Sequence, residues 1–195
     1  LETHAHADHL SAAAWLKRQL AKGSAAPAIG IGHAITSVQK TFKRTLNLDD
    51  QFVADGRQFD ALLLDGETLC IGDLEGQVIA TPGHTPDSIS YRFGDAVFVG
   101  DTLFAPLAGT ARCDFPGASA AALYHSIQRL YSLPDATRVF LAHDYPADAQ
   151  EPVSQTTIGA EKSANIHVRA ETTEPEFVAL RTQRDATLSV PKLLW

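Results

Sequence analysis

The sequence contains no methionine and only two cysteines, Cys70 and Cys113, among its 195 residues. Two thiols cannot supply a disulfide framework or a cysteine-rich zinc site, and a reducing compartment is the simpler expectation. No apolar run approaches the roughly 20 residues needed to cross a bilayer, and no basic-then-apolar leader opens the chain. Neither a membrane span nor a signal peptide is therefore expected. Positive charge is also scarce. With 16 Lys and Arg against 23 Asp and Glu the net charge is −7, which gives no electrostatic reason for nucleic acid or an anionic membrane as partner. A cytoplasmic protein acting on small molecules is the expectation. The chain opens at Leu1, inside a dense polar motif, and is read as a fragment whose natural start lies upstream.

What is present suffices for one domain over residues 1–195: 45% of residues are hydrophobic and the mean hydropathy is −0.08, enough for a substantial core. Ala13, Leu16 and Leu20, with Trp15 beside them, predict a helix from Ser11 to Lys22 stopped by Gly23. Val38, Phe42 and Leu46 at i, i+4 and i+8 predict a second, after a short strand from Ala28 to Gly32. Strands are predicted over Ala61–Leu64, Thr68–Ile71, Gln77–Ala80, Ser88–Phe93, Ala96–Val99 and Arg138–Ala142, punctuated by Asp-Gly and Gly-Asp turns. Within Ser88–Phe93, apolar Ile89, Tyr91 and Phe93 alternate with Ser88, Ser90 and Arg92, which predicts one wet face, whereas Ala96–Val99 reads as wholly buried. Leu123, Ile127, Leu130 and Tyr131 predict a helix before Pro134. Two polar helices close the chain, the last opened by a capping box of Thr173 and Glu176.

The chemistry lies at strand ends. Thr3-His4-Ala5-His6-Ala7-Asp8-His9 packs His4, His6, Asp8 and His9 together; in an extended segment His4, His6 and Asp8 share a face, and His9 joins them through the following turn. Singly, such histidines could be surface residues or a tag remnant. Three further groups decide otherwise: Pro82-Gly83-His84 after one strand, Gly100-Asp101 after another and His143-Asp144-Tyr145 after a third. Seven potential ligands at strand ends and in loops form a metal-site pattern.

The order His-x-His-x-Asp-His, Gly-His, Gly-Asp and His-Asp resembles the metallo-β-lactamase superfamily over essentially the whole chain. The resemblance implies an α/β fold, the αββα sandwich with its site along one edge of the sheets, here expected to lack its N-terminal strands, with truncation at the C-terminus also open. In hydrolytic members such as glyoxalase II the pattern implies two zinc ions, with His4, His6 and His84 on one, Asp8, His9 and His143 on the other and Asp101 bridging, arranged to activate water on a thioester. The stretch from Phe98-Val99-Gly100-Asp101-Thr102 through Gly109-Thr110-Ala111-Arg112-Cys113-Asp114-Phe115-Pro116-Gly117, with His143-Asp144-Tyr145 and Val38-Gln39-Lys40-Thr41-Phe42, is similar to the persulfide dioxygenases. That resemblance implies one Fe(II) per chain held by His4, His84 and Asp101, with His6, Asp8, His9 and His143 around it. Two histidines and a carboxylate leave positions for O₂ and a sulfur ligand.

The implied substrates are a thiol persulfide, namely glutathione persulfide, and O₂, and a homodimer is compatible with the reading. Arg112 is a candidate to order its loop through Asp114 or to hold a substrate carboxylate. Lys162 is a second substrate-binding candidate, and Tyr145 a candidate to offer a hydroxyl to substrate or to pack beside the site. Cys113 is expected to be an inert thiol near the pocket; His33, His125 and His167 match no ligand position and are expected to be structural or exposed. Two other readings stay open: a binuclear thioester hydrolase and a non-catalytic module.

Overall fold

The computed structural model describes residues 1–9, 12–21, 26–146 and 150–189. The elements run α1 (Ala13–Leu20), β1 (Gly30–Gly32), α2 (Ile35–Thr45), β2 (Ala61–Leu63), β3 (Thr68–Ile71), β4 (Leu74–Ala80), β5 (Ile89–Phe93), β6 (Ala96–Phe98), a 3-10 turn (Gly100–Thr102), α3 (Ala120–Tyr131), β7 (Arg138–Phe140), β8 (Gln155–Thr157), α4 (Ile158–Ala164) and α5 (Glu174–Asp185). The predicted ends of α1 at Ser11 and Lys22, and its stop at Gly23, lie outside the described residues. Among the described residues no helix is long and apolar enough to cross a membrane.

Strands β3 to β8 form one sheet in sequence order, and β1 and β2 form a parallel pair. The large sheet is antiparallel except for the parallel contact of β6 with β7. Alternation along β4 divides the core between its faces: Ile79 joins Val97, Leu123, Ile127, Val139 and Phe177, while Val78 packs with Leu63, Ile89 and Tyr91 toward the small pair. Two apolar layers thus hold the sheet between α3 to α5 on one side and β2 on the other.

Three patterns depart from the expectation. Strand β5 has no wet face at its start: Ser88 and Ser90 are buried, because the Ser88 hydroxyl meets that of Thr85 at 2.7 Å and the Ser90 hydroxyl meets that of Thr81 at 3.0 Å. Small paired hydroxyls can enter a core that alternation alone assigns to water. In β6, Phe98 is exposed and stacks on Phe140 of the adjacent strand, with centroids 4.8 Å apart. Helix α1 forms, yet none of its residues is buried.

Candidate metal centre

The topology brings the polar strand ends to one edge. Strands β4, β6 and β7 run in the same direction, so the loops that follow them open on the same side of the sheet. His84 follows β4, Asp101 follows β6 and His143 follows β7. The opening segment is brought there by Ile89, whose N–H donates to the Thr3 carbonyl at 3.0 Å, and by Glu2, whose N–H donates to Gly30 at 2.8 Å. A turn closed by His9 N–H on the His6 carbonyl at 3.0 Å then folds His9 back toward His4.

Two glycines make the approach possible. Gly83 has φ +146°, and a Cβ there would stand 2.3 Å from Leu123 Cα of helix α3; Gly100 has φ +50°, and its Cβ would stand 2.7 Å from the Thr3 side chain. Each immediately precedes a ligand, so positive φ and close packing aim His84 and Asp101.

The donor atoms fall into two lobes. His6 Nδ1 is 3.2 Å from His4 Nε2 and 3.0 Å from His84 Nε2. On the other side, His9 Nε2 lies 3.3 Å from His143 Nε2, and His143 Nε2 lies 3.4 Å from Asp8 Oδ2. Asp101 stands between them, its Oδ2 3.4 Å from His84 Nε2 and its Oδ1 3.1 and 3.3 Å from His9 and His143. Ligand atoms about 2.0–2.1 Å from a cation in tetrahedral or octahedral array are roughly 2.9–3.4 Å apart, which is the spacing found here. The clusters His4–His6–His84, His4–His9–Asp101 and Asp8–His9–His143 each bring three ligand atoms within 4.8 Å of one another, close enough to hold a metal ion.

Protonation agrees. Burial pushes His4 down to about 2, and burial followed by the charge of His84 pushes His6 down to about 4. Burial also lowers His84. For Asp101 burial works upward, but hydrogen bonds from His143 and His9 and the charges of His84 and His4 outweigh it and hold the carboxyl well below its usual range. His143, beside Asp101, is raised. Neutral imidazoles around an ionised carboxylate are the forms a cation binds. Imidazole nitrogens facing one another across 3 Å with an ionised carboxylate between them fit a metal better than they fit one another.

Residues 1–143 match the family model described as the Metallo-beta-lactamase superfamily. The chain belongs to that superfamily. The metallo-β-lactamase match ends on the last of the converging ligands. The chain is 49% identical over its whole length to "Glyoxylase B2" of Dictyostelium discoideum, of which it spans 65%. It is 46% identical over its whole length to the "Beta-lactamase hydrolase-like protein" of Xylella fastidiosa, spanning 43% of that protein. Among solved structures it is similar to ETHE1 from Myxococcus xanthus, with a TM-score of 0.74 and 33% identity over 98% of this chain and 70% of that one.

A cavity of about 900 Å³ opens from the centre. His6, Asp8, His84, Asp101 and His143 line one end; Val38 and Phe42 of α2, with Leu46 just past its end, form an apolar wall, and Arg112, Arg181 and Arg184 supply positive charge. Tyr145 stands on its wall, ring parallel to that of His143 at 5.9 Å. Arg112 pairs with Asp114 through two contacts of 2.6 Å and lies over the Phe115 ring at 5.3 Å. Lys162, the other substrate-binding candidate, is not among the cavity-lining residues: its ammonium lies 2.6 Å from Asp135. Its position on α4 directs it to that carboxylate instead. Burial pushes the Cys113 thiol up to about 12, which disfavours the nucleophilic thiolate.

His33 and His125 are exposed, whereas His167 is buried and reaches the cavity wall. Arg181 and Arg184, on a helix that sequence reasoning treats as merely polar, also reach the cavity. The only local signal for Arg181 is its i,i+4 spacing from Asp185, which reads equally as a solvated helix pair.

Proposed function

We propose that this metallo-β-lactamase centre works as a mononuclear Fe(II) persulfide dioxygenase, converting glutathione persulfide, O₂ and water to glutathione and sulfite. The observation that carries the reading is the loop Gly109–Phe115. It has the sequence that resembles the persulfide dioxygenases, and its residues Thr110, Ala111, Arg112 and Phe115 line the cavity against the ligand cluster. The likeness to ETHE1 over 98% of this chain supports it further.

Bound iron would supply adjacent open positions for the sulfur and for O₂. The chain's own residues do the rest. His4, His84 and Asp101 would hold the ion, with His84 kept in one tautomer by donating from Nδ1 to the Arg112 carbonyl at 2.7 Å. Arg112 and Arg184 offer cations for the substrate carboxylates, and Val38 and Phe42 of α2 offer an apolar surface in the same cavity. In the overall change the S–S bond breaks, four electrons pass from sulfur to O₂, and water supplies the third sulfite oxygen. As the chain spans only 43–65% of the two curated relatives named above, the activity refers to the whole protein. It is taken to be cytoplasmic, to act on small molecules without nucleic acid or membrane, and to be compatible with a homodimer.

A binuclear thioester hydrolase is the second reading, favoured by Asp101 presenting one oxygen to each lobe. Metal analysis of anaerobically purified protein separates the two. About one iron per chain, retained by His143→Ala and lost by His84→Ala, is the expected result. Two tightly bound zinc ions, stripped equally by either substitution, would select the hydrolase.

A further inference from the structure

We infer that the buried Arg181–Asp185 pair of α5 is a positioning element for the metal centre, acting through the backbone of the Gly109–Asp114 loop on His84. The inference needs only the metal site of the superfamily and is indifferent to which reaction that site performs.

The loop meets the candidate ligands through the Arg112 carbonyl, which accepts from His84 Nδ1 at 2.7 Å. Arg112 is flanked by backbone groups held from α5. Arg181 Nη1 donates to the Thr110 carbonyl at 3.1 Å, and Asp185 Oδ2 accepts from the Cys113 N–H at 2.8 Å. Arg181 and Asp185 are themselves paired, one turn apart on the helix, and both are buried. Farther along, the Arg112 guanidinium donates to the Ser189 carbonyl at 3.0 Å. The loop's other end is held by residues that follow α4: the Asn165 amide donates to the Gly109 carbonyl at 3.0 Å, and His167 Nδ1 accepts from the Thr110 N–H at 2.9 Å.

A peptide carbonyl clasped on both flanks presents one fixed acceptor, and a ligand histidine that donates to it has one tautomer and one ring orientation. With Nδ1 committed to Arg112, His84 Nε2 must face His6 and Asp101, at 3.0 and 3.4 Å. Each residue of the clasp lies beyond the matched span 1–143. A buried ion pair is weak evidence for stability, since apolar side chains of similar volume serve as well. Its hydrogen bonds to the loop that accepts from His84 give it a role that apolar replacements cannot fill.

The test is the double variant R181M/D185L, which keeps the buried volume and removes the pair's hydrogen bonds to the loop. Circular dichroism first establishes that it is folded. Metal affinity should then fall about 10- to 100-fold, and at matched occupancy the ligand-field spectrum of the Co(II)-substituted protein should differ from the parent's. Asp185→Asn is read in parallel as the near-isosteric change. Its single carbonyl oxygen cannot serve both Arg181 and the Cys113 N–H in the original geometry, so an intermediate loss is expected even should the double variant not fold. R138A, which breaks an exposed pair with Asp95, should match the parent. Parental metal affinity and an unchanged Co(II) spectrum in a folded R181M/D185L, or in Asp185→Asn where only that variant folds, would overturn the inference.

Discussion

Arg112 works through two different groups: its carbonyl orients His84, while its guanidinium holds Asp114 and the Ser189 carbonyl and faces the cavity. Arg112→Ala leaves the carbonyl in place. It should therefore keep its metal and change KM, kcat or both, which steady-state kinetics on metal-matched samples would test. Unchanged constants would return the guanidinium to the surface ion pairs, which contribute little. Glu161 offers a test away from the metal. It is fully buried, one carboxyl oxygen has no partner, and burial raises it to about 7. Because the folded-state value lies above the unfolded one, the folded protein binds the extra proton. The neutral carboxyl is favourable below about 4.5, and its contribution fades as pH rises through 7. Glu161→Gln imitates the protonated form and should raise thermal stability at pH 8, by on the order of 1–3 kcal/mol, with little gain at pH 4. Equal melting shifts at both pH values would refute the assignment.

At the scale of elements, the aim of each ligand depends on how a strand ends. Gly83→Ala would place a methyl group against the α3 backbone at a positive φ, so a loss of about 3 kcal/mol and weakened metal binding are expected. A thermal melt and a metal titration check both. Most of this organisation is legible in the sequence. The short β-type runs between Gly and Asp turns predict β3 to β7 to within a few residues, and the Thr173–Glu176 capping box stands where α5 begins. Strand β8 is missed because Gln155–Thr157 carries no apolar alternation and exists by pairing with β7. The buried Ser88, just before β5, and Ser90 within it escape because their hydroxyl partners, Thr85 and Thr81, come from the preceding loop. The convergence of the candidate ligands could be read because donor residues cluster where strand patterns stop. Arg181, Asp185 and His167 could not, since they act through the backbone of a loop distant in sequence, and no local spacing encodes that.

For the molecule as a whole, parallel β4, β6 and β7 gather ligands at one sheet edge, and α2, α5 and the Gly109–Phe115 loop wall the cavity above them. The metal site follows from this arrangement; the chemistry depends on what meets the metal. A hydrolase has no use for oxygen, whereas the proposed centre must bind it beside sulfur. Oxygen uptake is thus the direct measurement, made with an oxygen electrode and a sulfite assay on the iron-loaded whole protein. Glutathione persulfide should draw down dissolved O₂ and release one sulfite for each O₂ consumed, while S-lactoylglutathione is turned over poorly or not at all. No oxygen uptake from an iron-replete sample that rapidly hydrolyses the thioester would contradict the dioxygenase and leave the metallo-β-lactamase fold in place.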